Sequence, residues 1–152
     1  MRQGPAARMA GPGVRDRLSG VRFPFMHPLL MVGLGGAAGS ILRYWLGGLV
    51  QHRLEATGFP AGTLAVNLLG CFAIGALSGV VETRHAFSPD LRLLLGAGLL
   101  GGFTTFSAFG NETINLLRAG HSGLAATNVV SSVVLGLGLA GLGRLATSAL
   151  LR

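Results

Sequence analysis

The chain has 152 residues, enough for one domain, and half of them are apolar while only 11% are charged, under half the share usual in soluble domains. With 26 glycines, no lysine, five acids and a mean hydropathy of +0.61, the composition argues against a soluble enzyme and against a disordered chain, and for an integral membrane protein. The net charge of +7 rests on twelve arginines, five of them at Arg2, Arg8, Arg15, Arg17 and Arg22, a distribution that suits anionic lipid headgroups better than nucleic acid.

Residues 1–26 are rich in Gly, Pro and Arg without apolar periodicity, so they read as a disordered or surface-lying basic tail ahead of a transmembrane domain over 27–152. The apolar run that follows is too long for a cleaved signal segment and reads as a retained span over about 28–50, with Pro28 in its first turn. A second span covers 62–81, GTLAVNLLGCFAIGALSGVV. The third, 91–117, is 27 residues long. As one helix it would measure about 40 Å, more than the hydrocarbon core, so it must tilt, protrude or break. A fourth span covers 124–145, and Pro60 and Pro89 punctuate two of the helix starts. The expected fold is an all-α membrane protein of four transmembrane helices.

Arginine placement favours both termini inside, but only weakly. Outside the tail, Arg84, Arg92, Arg144 and Arg152 stand against Arg53 and Arg118, with Arg43 adding to the second group if it is counted. Such a bias permits insertion in both orientations, and so an antiparallel pair of identical chains. Gly35 and Gly39, Gly75 and Gly79, and Gly98 and Gly102 stand at small-xxx-small spacing, which lets backbones approach closely. Four short, tightly packed helices leave little room for a solute path, so an oligomer is expected, a homodimer being the simplest closed form. Cys71, the one cysteine, has no partner for an internal disulfide and reads as a small core residue. The histidines lie outside the spans without metal-ligand spacing.

Polar groups within an apolar span are costly and usually face a bundle interior or a water-filled path. Thr63 and Asn67 share one face of the second span, and Asn128 and Ser132 one face of the fourth, a row that Gly136 continues. Each is equally suited to interhelical hydrogen bonding. The third span carries GGFTTFSAFG, whose adjacent glycines and threonines disfavour helix and predict a break. Carbonyls freed there are able to ligate a hard cation such as sodium. Beyond the break Phe106 and Phe109 share a face, and their ring edges would offer a small anion a weakly electropositive, waterless surface. Thr105 and Ser107 bring hydroxyls beside them. Glu112 is the only acid inside a span and lies in its outer part, while Arg43 either snorkels to the interface or makes a vestibule attractive to anions.

Together, GGAAGSILRYWLG, GTLAVNLLGCFAIG, GLLGGFTTFSAFGNE and the Asn-xxx-Ser-xxx-Gly row of the fourth span resemble the bacterial fluoride channel family, Fluc or CrcB, over about residues 28–145. The resemblance implies an antiparallel, dual-topology homodimer of the bacterial inner membrane, with two pores that export fluoride passively and no enzymatic activity. It implies a structural sodium ion at the dimer centre on carbonyls that match Gly101 and Thr104 of both copies. The family's pore phenylalanines match Phe106 and Phe109, its pore asparagine matches Asn67, and its fourth-helix polar row falls on Asn128 and Ser132, with Gly136 where relatives carry a hydroxyl. Thr105 and Ser107 are assigned to the same fluoride path and Arg43 to its vestibule. The alternative from another class is a small dual-topology exporter coupling proton entry to cation or drug exit. It needs a membrane-embedded carboxylate, and the first, second and fourth spans hold none.

Overall fold

The computed structural model describes residues 26–84 and 87–151. Residues 1–25 of the basic tail, residues 85–86 and Arg152 lie outside the described residues, while Met26 already opens the first helix. Helix α1 is Met26–Arg53, α2 is Ala61–Arg84, and the last, α5, is Ser122–Leu150. Between α2 and α5 the third span starts as an α-helical turn at Pro89–Arg92, widens into a π-helical stretch at Leu93–Leu100 and closes on Gly101–Phe103; these continuous pieces are α3. After a break, α4 runs over Phe106–Arg118. Among the described residues, four helical segments of 28, 24, 30 and 29 residues, α3 and α4 forming one of them, are long and apolar enough to cross a membrane. Among the described residues there is no strand.

Each helix outruns its predicted span, because the spans were bounded by apolar residues. Polar ends such as Gln51, His52 and Arg53 stay helical past the apolar stretch, and His27 and His52 consequently lie in the end turns of α1. The start of α3 is set by Ser88, whose Oγ accepts from the Leu91 N–H at 3.3 Å, with Pro89 in the first turn, where its missing N–H costs nothing. The turn between α4 and α5 passes through Gly120 at φ +79°, a left-handed conformation that favours glycine.

The predicted break falls at Thr104 and Thr105, both extended at φ −90°, ψ 157° and φ −151°, ψ 117°. The π-helical stretch was not anticipated. There the Gly101 N–H reaches the Gly96 carbonyl, five residues back. The segment LLLGAGLL is apolar throughout apart from its glycines, so no period in it distinguishes α from π winding.

Glycine contacts hold the helices together. A Cβ on Gly35 would meet the Leu94 carbonyl and one on Gly39 the Leu99 carbonyl, so α1 packs on α3 backbone to backbone. Gly98 and Gly102 answer from α3 against Val32, Gly35 and Gly36. Gly75 rests on the Ala140 carbonyl and Gly79 on Arg144 and Thr147, which seats α2 on α5. Gly143 returns the contact against Phe72. All three predicted small-residue rows are thus occupied within one chain. Val66, wholly buried, sits in this packing on α2, and Asn128 on α5 is the one buried polar residue among the described ones.

Candidate functional site

The break in the third span leaves backbone groups without helical partners, and the structure supplies a substitute for several of them. Asn67, on α2, forms a two-point bridge to Thr105: its Nδ2 donates to the Thr105 carbonyl at 3.0 Å, and its Oδ1 accepts from the Thr105 N–H at 2.8 Å. The side-chain amide thereby stands in for a peptide neighbour. The Oγ1 of Thr105 accepts from the Ala108 N–H at 3.2 Å, capping α4, and lies 3.2 Å from the Ser107 Oγ. On the other side of the break, the Thr104 N–H and hydroxyl both donate to the Leu100 carbonyl, at 3.0 and 2.9 Å. The Thr104 methyl packs where Gly70 has no side chain. The Gly102 carbonyl accepts from Arg43 Nε at 3.1 Å and from Ser40 Oγ at 3.5 Å.

Two cavities meet at Thr105. One, of about 660 Å³, is walled by Arg43, Gln51, Thr63, Thr105, Glu112 and Asn115 among others. In it the Thr63 hydroxyl donates to Glu112 Oε1 at 2.6 Å, while Oε2 has no hydrogen-bond partner among the described residues. The second, of about 460 Å³, has Asn67, Cys71, Thr105, Phe106, Phe109 and Ser132 in its wall, and among the described residues no charged side chain lines it. The Phe106 and Phe109 rings lie 5.4 Å apart between centroids and are tilted by 44°. Phe106 is 83% exposed, so most of its ring meets no described residue. The Ser132 hydroxyl is buried in that wall with no hydrogen-bond partner among the described residues.

Of the residues singled out in the sequence, Asn67, Thr104, Thr105, Phe106, Phe109, Ser132 and Gly101 are gathered around the second cavity, and Arg43 and Thr105 around the first. Ser107 is exposed beside Thr105. Asn128 lines neither cavity. It is 2% exposed, and its Nδ2 donates to Thr113 Oγ1 at 2.9 Å, while the Thr113 hydroxyl donates to the Phe109 carbonyl at 2.7 Å. Asn128 thus ties α5 to α4 close to the phenylalanine pair. Arg43 neither snorkels freely nor serves a vestibule alone, since its Nε is fixed on the broken helix. Three features were missed. Cys71 borders the second cavity, with its Sγ 3.4 Å from where a Cβ on Gly136 would lie. Thr63 pairs with Glu112, and Gln51 clamps the α1–α2 link through the Phe59 carbonyl and the Gly62 N–H at 3.1 and 3.0 Å. The four-residue spacing of Thr63 and Asn67 marked the face that bears the first of these contacts, though not the partner. Among the described residues, no three His, Cys, Asp or Glu side chains cluster to hold a metal.

Residues 30–144, from α1 into α5 and including every residue of both cavities named above, match the family described as CrcB-like protein, Camphor Resistance (CrcB). The chain belongs to the CrcB-like family. It is 51% identical over 118 residues to the fluoride-specific ion channel FluC of Methylobacillus flagellatus, covering 78% of this chain and 92% of that one. It is 52% identical over 118 residues to the FluC of Thermus thermophilus, covering 78% and 93%. Against the FluC of Maridesulfovibrio salexigens it is 43% identical over 128 residues, covering 81% of this chain and all of that one. Its four apolar helices and its membership of the CrcB-like family make it a multi-pass bacterial membrane protein.

Proposed function

We propose that the protein is a fluoride-selective channel that exports fluoride passively from the cytoplasm. The observation that carries this reading is the uncharged second cavity, where Phe106, Phe109, the Thr105 hydroxyl and the unpartnered Ser132 hydroxyl surround one space at the helix break. Fluoride is small and strongly hydrated. A path for it must replace water with donors and ring edges without a fixed cation deep enough to trap it. Ser132, the remaining N–H of Asn67 and the phenylalanine edges meet the first requirement, and a wall with no charged side chain among the described residues meets the second. Arg43 would raise the anion concentration in the adjoining mouth. Hydrogen fluoride enters at low external pH and ionises inside, so a passive anion pore suffices and no chemical step is needed. Relatives at 43–52% identity named fluoride-specific ion channels support the same reading.

The working unit is an antiparallel homodimer in the inner membrane, in contact with lipid. The weak arginine bias and the bare outer face of Phe106 support it. Gly101 and Thr104 carbonyls would hold a structural sodium ion. Carbonyl oxygens suit a hard cation, but the two from one chain are too few, so the ion fits only where a second copy brings its own pair. The exporter reading lacks support: Glu112 is in the mouth cavity, not in the uncharged one, and is paired with Thr63. Fluoride release from liposomes carrying the purified protein tests the proposal. Release that outpaces chloride is expected, and release no faster than from empty liposomes would defeat it.

A further inference from the structure

Arg43 makes an unusual use of its side chain. Its inner nitrogen, Nε, donates to the Gly102 carbonyl at 3.1 Å, while its terminal nitrogens make no hydrogen bond with a described residue and the side chain borders the mouth cavity beside Thr63 and Glu112. In an unbroken helix the Gly102 carbonyl would accept from the N–H of residue 106. The extended Thr104 and Thr105 carry that donor away. Ser40, a turn earlier on α1, offers a longer contact of 3.5 Å to the same oxygen. The attachment has a firm base, because a Cβ on Gly39 would meet the Leu99 carbonyl and lie 2.8 Å from the Phe103 nitrogen, and one on Gly102 would meet Gly36. The last turn of α3 is thus pressed on α1, with a guanidinium at the negative end of its dipole.

We propose that Arg43 is a positioning residue whose Nε–H fixes the carbonyl end of α3, and with it Thr105 where the two cavities meet, a duty separate from the charge it presents to the mouth. Two substitutions separate the duties. Glutamine ends in an amide nitrogen the same number of bonds from Cα as arginine's Nε, so Arg43→Gln keeps a donor at that place and removes the charge. Lysine has a methylene there and its ammonium one bond further out, so Arg43→Lys keeps the charge and displaces the donor.

The test compares wild type, Arg43→Gln and Arg43→Lys in lipid nanodiscs by amide hydrogen exchange over peptides covering 101–106, alongside maximal fluoride efflux from liposomes. Arg43→Gln should exchange within about twofold of wild type and retain at least half of its maximal efflux, with a higher fluoride concentration needed for half-maximal rate. Arg43→Lys should exchange at least tenfold faster and lose at least tenfold in efflux while eluting as the wild-type species. Wild-type exchange in Arg43→Lys, or equally fast exchange in both variants, would overturn the proposal. Only the efflux arm rests on the channel reading. Wild-type protein without efflux would defeat that reading, and the exchange comparison decides the role of Arg43 in either case.

Discussion

Replacing Asn67 by alanine tests whether this amide holds the break or only faces the ion. The substitution removes two hydrogen bonds at 3.0 and 2.8 Å and strands the N–H and carbonyl of Thr105. Interhelical hydrogen bonds in membranes contribute about 0.6 kcal/mol on average and up to about 1.7. A buried polar group left without a partner costs about 1–3 kcal/mol. Two stranded groups would therefore cost about 2–6 kcal/mol if dry. Both stand at a cavity of about 460 Å³, roomy enough for water to replace part of the loss, so the lower end is expected, about 2 kcal/mol. The assay is reversible unfolding in mixed micelles, paired with amide exchange over the break. Asn67→Ala should lose about 2 kcal/mol and speed exchange at Thr105, while Asn67→Asp, which keeps the acceptor for the Thr105 N–H but sets an oxygen against the Thr105 carbonyl, should do no better. Unchanged stability and exchange in a variant that no longer conducts would refute the latch and leave the amide as an ion ligand only.

Other expectations follow from the same contacts. Gly70→Ala would drive a methyl into the Thr104 side chain, whose β-branch has little freedom to yield, and should cost about 1–3 kcal/mol and distort the break, read as lost efflux from protein that still folds. Gly75→Ala sets its methyl on the Ala140 backbone carbonyl, which no rotamer change relieves, so α2 and α5 must part and the purified protein should aggregate on size-exclusion chromatography. By contrast Arg144→Ala breaks a pair with Glu82 at 2.8 and 3.1 Å, in which both side chains are more than half exposed. It should cost under about 1 kcal/mol, an effect that shrinks further as salt is added to the unfolding assay.

Much of the fold was legible because each of its signals is local. Apolar runs marked four spans, Pro60 and Pro89 marked two starts, and paired glycines and threonines marked the break that Thr104 and Thr105 make. The phenylalanine spacing placed both rings on one face, but that this face borders a cavity with Asn67 and Ser132 depends on how α2 and α5 meet α4. What the residues could not disclose were the contacts between spans. Asn67 meets Thr105 across 38 positions, Arg43 meets Gly102 across 59, and Asn128 turns to Thr113 instead of the cavity, and nothing in a four-residue spacing selects one neighbouring helix over another. The glycine rows carry the same ambiguity. They predicted close backbone approach, and the chain satisfies all of it internally, so these rows lend no support to the proposed homodimer.

The proposed fluoride path passes the helix break through the cavity lined by Phe106 and Phe109. Its most direct test is electrode-recorded efflux from liposomes loaded with fluoride or chloride, comparing wild type with Phe106→Ile, which keeps an apolar side chain and removes the ring edge. Rapid wild-type release of fluoride over chloride is expected, and its loss in the variant, with both proteins eluting alike. Fluoride release of equal rate from the two proteins would contradict a path along these rings, and wild-type chloride release as fast as fluoride would contradict the selectivity.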